Sequence, residues 1–271
     1  MSKPLHANRH AVIVLLRMEK CSHGSREASV ARYGERTEFR RRHIDRLYGQ
    51  EHGSRIMTSL NRKPIRGLVI AVLLIILFQP VVAIPFRVVL LACAALVWTF
   101  LEARSLNPIG LSRHGLTKTL AWAVGIAVGV TALGYILEPV INKLLGIQTD
   151  LSGYGALKGN AQAALKLLML ALTSAAFGEE ILFRGFLQHQ VSAILGSGDR
   201  SRWTAILASG ALFGLAHSIQ GPAGVISTGL AGLVFGWAWF RSGRNLWALI
   251  LAHGMIDSYG IAMLYLGRSA I

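Results

Sequence analysis

Three short polar clusters interrupt the apolar stretches in the C-terminal half of this 271-residue chain. The first is Phe177-Gly178-Glu179-Glu180-Ile181-Leu182-Phe183-Arg184-Gly185. Ionisable side chains inside an apolar span are costly and usually mark function. Glu180 and Arg184 are four residues apart, so on a helix they share a face and can form an ion pair. Glu179 then points about 100° away from Glu180, free of that partner and available as a base. The structural alternative is an ion pair that merely closes the end of a span.

The second cluster is Phe213-Gly214-Leu215-Ala216-His217, and the third is His253-Gly254-Met255-Ile256-Asp257. Alone, His217 beside Ser218 reads more readily as a packing residue than as a catalyst. His253 and Asp257 share a helix face, and by themselves read as an Asp that orients a His within a bundle. Together the clusters supply Glu, Glu, Arg, His, His and Asp on separate apolar segments. That inventory suits hydrolysis: a carboxylate base, an imidazole sharing the water, and polar groups for an oxyanion. It equally suits a metal site in which Glu179, His217 and His253 hold an ion such as zinc. The two cysteines, Cys21 and Cys93, exclude a Cys-rich site, and no HExxH, P-loop, GxSxG or dinucleotide fingerprint occurs.

The segments that must position these clusters are those of a membrane protein. The chain is 53% hydrophobic and only 15% charged, against about a quarter charged in soluble domains. It cannot cover its apolar residues with polar surface, so an integral membrane fold is expected. The net charge of +15 would otherwise suggest nucleic acid. Residues 1–63 hold +8 of it, and the remaining basic residues stand singly between apolar stretches. That distribution fits membrane topology and anionic lipid, so lipid is an expected partner and nucleic acid is not.

The reading is an all-α polytopic bundle of about seven spans with a recessed site. Residues 1–63 form a basic extension without lasting periodicity, expected to be disordered, and Met57 is an alternative start. Residues 64–160 hold the first membrane helices and 161–271 the helices bearing the three clusters. The expected spans are 67–84, 87–101, 119–141, 161–196, 203–218, 221–240 and 245–266. The fourth, about 54 Å long as one helix, exceeds a hydrocarbon core of about 30 Å. It must break, tilt or lie partly along the interface, and Gly178 and Gly185 are the candidate break points. A cytoplasmic N-terminus puts 11 basic residues on inner flanks against 4 on outer ones (Arg87, Lys143, Lys158 and Arg268), which satisfies the positive-inside rule. Gly210, Gly214, Gly229, Gly232 and Gly236 suggest close helix contacts. Phe213 is expected to pack under His217, His189 to be interfacial, and Glu102 and Glu138 to meet solvent at span ends.

In this order on successive apolar segments, Glu179-Glu180-x-x-x-Arg184, Phe213-x-x-x-His217 and His253-x-x-x-Asp257 resemble the motif set of the CPBP family. These are the CAAX proteases and bacteriocin-processing (Abi) intramembrane proteases, with the Ras-converting endopeptidase as the eukaryotic branch. The resemblance covers roughly residues 161–266, with Arg241-Ser242-Gly243 leading into the last helix. It implies that Glu179 activates the attacking water with help from His217, and that Glu180 and Arg184 hold their helix in place. It also implies that His253 and residue 257 stabilise the oxyanion. Asp257 stands where eukaryotic-type members have Asn, and an ionised Asp cannot donate to an oxyanion. A metal-free glutamate mechanism and a zinc-dependent one, as in relatives classed as metalloproteases, are both open. The implied protein is an endopeptidase of the bacterial plasma membrane, acting on a membrane-associated protein or peptide. The alternative is a transporter or a regulatory or immunity protein that binds protons or ions through the same residues.

The three clusters must also meet at one level. His217 lies about 21 Å along its helix from the inner edge and His253 only about 12 Å. Glu179 sits near that edge if its helix stops at Arg184, and deeper if the helix runs on toward Leu195.

Overall fold

The computed structural model describes residues 63–79, 84–147, 157–196 and 198–268, and no strand occurs among them. Residues 1–62, including Met57 and Cys21, lie outside the described residues. The chain runs through α1 (Lys63–Phe78), α2 (Ile84–Ala103), a turn of 3₁₀ helix at Asn107–Ile109, and α3 (Leu116–Leu145). A long helix follows in three parts: α4 (Ala161–Leu170), a π-helical stretch (Ala171–Leu187) and α5 (Gln188–Leu195). Then come α6 (Asp199–Ala216), a short 3₁₀ turn at Ser218–Gln220, α7 (Gly221–Arg241) and α8 (Leu246–Tyr265).

Five helical stretches among the described residues are long and apolar enough to cross a membrane. They are Pro85–Ala103, Leu116–Leu145, Ala161–Leu195, Ser218–Arg241 and Leu246–Tyr265. The described part of the expected first span, α1, has 16 residues and is not among these five. The expected fifth, α6, is long enough but carries Asp199, Arg200, Arg202 and several Ser and Gly residues, so it falls short in hydropathy. Outward faces of the long helices expose Leu90, Val97, Val128 and Ile136, as a lipid-facing surface requires. The interior is packed with Phe183, Phe186, Trp239, Leu246 and Leu249.

The long fourth helix does not break at Gly178 or Gly185. It stays helical from Ala161 to Leu195 and changes its winding instead, with the Gln188 N–H bonded to the Phe183 carbonyl five residues back. Such i→i+5 winding is rare and frequent at functional sites, usually as a single turn; here it extends over 17 residues. The two glycines are close-approach positions. A Cβ on Gly178 would come within 2.9 Å of Val88 Cγ1, and one on Gly185 within 3.2 Å of Leu246 Cδ2. Their lack of side chain lets α2 and α8 pack against the wide π-helical turns.

The glycine-rich stripe between α6 and α7 behaves as the sequence suggests. A Cβ on Gly214 would meet the Val225 carbonyl at 2.5 Å, and one on Gly232 would meet Gly210 Cα at 3.1 Å. Backbones this close fix α6, and with it His217 at its C-terminal end, against α7. Ser209 Oγ donates to the Phe183 carbonyl at 3.1 Å and ties α6 to the π-helical stretch.

The start of α8 is held from two sides. Asn245 caps it by accepting from the Ala248 N–H at 3.3 Å and donates to Thr119 Oγ1 on α3 at 2.8 Å. The Leu246 N–H donates to the Gly110 carbonyl at 3.1 Å. Gly110 has φ 93° and lies so close to the Arg244 carbonyl that no side chain fits there. This packing sets the level at which His253 and Asp257 project from α8.

Glu102 departs from its expected solvent-reached position. It is buried and pairs with Arg66 of α1 at 2.7 Å, while its other oxygen accepts from Gln190 Nε2 at 2.8 Å. A carboxylate near a span end is thus drawn inward by partners from two other helices. Glu138 is half-buried and His189 likewise.

Candidate active site

The two adjacent glutamates have separate surroundings. Glu180 is fully buried, and its Oε1 accepts from Arg184 Nη1 at 2.8 Å and from His253 Nδ1 at 2.8 Å. The expected pair between Glu180 and Arg184 is therefore present, and it extends to α8. Glu179 is 8% exposed, and its Oε2 has no hydrogen-bond partner. It faces a cavity of about 890 Å³ whose wall also includes His217, His253 and Asp257. Glu180 and Arg184 lie behind that wall.

Arg184 is held by aromatic faces as well as by Glu180. Its guanidinium carbon lies 4.1 Å from the Phe213 ring centroid and 5.1 Å from that of Phe235. In a buried setting such cation–π contacts contribute about 2 kcal/mol each. Phe213 also stacks obliquely on His217, with centroids 4.7 Å apart, and Phe235 meets His253 edge-on at 5.6 Å. Phe213 packs under His217 as expected. The role of Phe235 escapes a reading by polar motifs, although Gly232-x-x-Phe235-Gly236 marks a ring set among close-packing glycines.

His217 Nδ1 lies 2.9 Å from the Phe213 carbonyl. A carbonyl only accepts, so Nδ1 carries a proton, and Nε2 is the ring nitrogen left over for a further partner. His253 is hydrogen-bonded on one side only. Its Nδ1 donates to Glu180, and its Nε2 stands 3.7 Å from Asp257 Oδ2, too far for a hydrogen bond. The helix that bears Glu179 runs on to Leu195, so the carboxylate is deep in the bundle, where α6 and α8 also deliver their imidazoles. All six sequence-derived residues thus fall in one region, four on the cavity wall and two behind it.

The sequence also allows a metal set of Glu179, His217 and His253. No three His, Cys, Asp or Glu side chains among the described residues converge as ligands for one ion. His253 in particular has both ring nitrogens directed at carboxylates. The residues as placed do not fit a zinc site.

Fold and cavity together define a multi-pass helical membrane protein with a recessed carboxylate–imidazole site. Residues 161–259 match the family model described as Type II CAAX prenyl endopeptidase Rce1-like. The match covers somewhat over a third of the chain, and it coincides with the segment that carries the three motifs and their resemblance to the CPBP family. Neither a search of curated proteins nor one of solved structures found a match.

Proposed function

We propose that the protein is an intramembrane endopeptidase that hydrolyses a peptide bond of a membrane-associated protein or peptide, with Glu179 and His217 activating the water. The observation that carries this reading is the unpartnered Glu179 Oε2, buried at the wall of a cavity shared with His217. A buried carboxylate oxygen left without a donor is costly. A water donating one hydrogen to Glu179 and the other to His217 Nε2 would satisfy both.

In this reading the water oxygen attacks the peptide carbonyl carbon and its proton passes to Glu179. The carbonyl π electrons move onto oxygen, giving a tetrahedral oxyanion. A doubly protonated His253 would donate its Nε2–H to that oxyanion, with Glu180 and Asp257 as the flanking carboxylates. Collapse of the intermediate breaks the C–N bond, and Glu179 returns its proton to the leaving amine. Glu180, Arg184 and Phe235 do not touch the reacting atoms; they hold His253 and the helix at the right level. Asp257 acts on His253, fixing its orientation, rather than donating to substrate. A substrate filling the largely apolar cavity would displace water and strengthen these electrostatic contacts.

In this reading the enzyme sits in a bacterial plasma membrane with its N-terminus in the cytoplasm; the excess of basic residues on the inner flanks supports that orientation. Quantitative proteomics of membranes carrying the wild-type chain or Glu179→Gln tests the function. New peptide termini restricted to wild-type membranes support it, and identical termini in both samples refute it.

A further inference from the structure

The cavity wall includes one guanidinium, Arg87, in the first turn of α2. Arg87 is only 9% exposed, and no carboxylate pairs with it among the described residues. One of its nitrogens, Nη1, caps the end of α1 by donating to the Leu77 carbonyl at 2.7 Å and to the Gln79 carbonyl. Capping the negative end of a helix is a sufficient structural use for that nitrogen. It leaves the rest of the fork over, and Nε is buried without a partner.

The position of this unspent charge relative to the site is set by a helix contact. The residue after Arg87, Val88, packs on Gly178, where a Cβ would come within 2.9 Å of Val88 Cγ1. Gly178 directly precedes Glu179. Arg87 and Glu179 are therefore each one residue from the same α2–helix crossing, and both face the cavity. A buried cation without a counter-charge is costly unless one arrives with a ligand. The guanidinium fork is shaped for a carboxylate.

We propose that Arg87 is a specificity-determining residue that binds a carboxylate of the peptide substrate in the cavity holding Glu179. The carboxylate is either the C-terminus of the peptide or an acidic side chain on the segment that enters beside α2. The proposal rests on the endopeptidase reading but concerns recognition, so it has its own readout.

The test uses the full chain in neutral-lipid vesicles and three peptides of one sequence taken from a cleaved substrate. One has a free C-terminus, one a C-terminal amide, and one has its acidic side chains replaced by their amides. Cleavage is measured as kcat/KM, and binding is measured separately with the Glu179→Gln protein. A charge-assisted hydrogen bond predicts that the wild type prefers the matching acid over its amide by about tenfold, mainly through KM. Whichever amide loses that preference identifies the source of the carboxylate. Arg87→Gln should bring the ratio to about one, and Arg87→Lys should retain part of it. If Arg87→Gln weakens folding through loss of the α1 cap, the wild-type acid-to-amide ratio and Arg87→Lys still decide. Equal kcat/KM for all three peptides would overturn the role of Arg87 and leave the endopeptidase standing. Acid-selective binding that depends on Arg87, without any cleavage by the wild type, would uphold the subsite and refute the endopeptidase.

Discussion

His253 Nδ1 donates to Glu180 Oε1 at 2.8 Å across 73 residues of chain, joining the last helix to the π-helical stretch. The same oxygen accepts from Arg184, so one carboxylate serves a guanidinium and an imidazole at once. This leaves the adjacent Glu179 unpaired at the cavity wall, and the two glutamates should respond to substitution in opposite ways.

Glu180→Gln removes the charge that balances Arg184 and His253 in a fully buried position. Breaking a buried pair from one side costs about 3–5 kcal/mol. The expected outcome is a marked fall in the thermal midpoint of the purified protein, with activity lost as a consequence. Glu179→Gln, by contrast, should melt within a few degrees of wild type. Equal melting of both variants would contradict the separation of roles.

His217→Ala should lower kcat by roughly 10²–10⁴-fold, the usual contribution of a positioned acid–base group. Its effect on KM should be small, because the ring meets the water rather than the body of the substrate. A change confined to KM, measured on vesicle-reconstituted protein, would remove His217 from the reaction.

Asp257 offers a sharper comparison. If it only orients His253 across 3.7 Å, then Asp257→Asn, which matches it in shape, should keep turnover within about tenfold of wild type. Asp257→Leu should lose considerably more. Abolition of turnover by Asn would show that the carboxylate charge itself is needed.

The glycines of the α6–α7 seam give a test of the packing. Gly214→Ala would drive a methyl to 2.5 Å from the Val225 carbonyl, an overpacking expected to cost about 1–3 kcal/mol. Gly125→Ala or Gly129→Ala on α3 meets nothing within 4 Å and should be neutral or stabilising, by up to about 1 kcal/mol from helix propensity. Thermal unfolding of the three variants separates these outcomes.

Part of the site is legible in the sequence because some of its contacts are local. The four-residue spacings of Glu180 with Arg184 and of His253 with Asp257 declare a shared helix face from chain position alone. Their isolation in apolar stretches points inward for the same reason. The features that escape a reading of the sequence depend on partners distant in the chain. Glu102 reads as solvent-reached because nothing near it signals Arg66, 36 residues earlier, or Gln190, 88 residues later. Gly178 and Gly185 read as helix breakers because local propensity knows nothing of Val88 and Leu246 pressing on them. The π winding of Ala171–Leu187 has no periodic signature in a largely apolar run, and Glu179 within it lines the same cavity as both imidazoles. The described residues form seven helices, counting Ala161–Leu195 as one, and five of these stretches have the length and hydropathy to cross a membrane.

The central claim is that Glu179 and His217 share one water in this cavity. Its most direct measurement is turnover of a cleavable membrane peptide by Glu179→Gln reconstituted in vesicles, with folding verified by its melting curve. A folded protein with no detectable cleavage is the predicted result. Cleavage at a rate near that of wild type would contradict it.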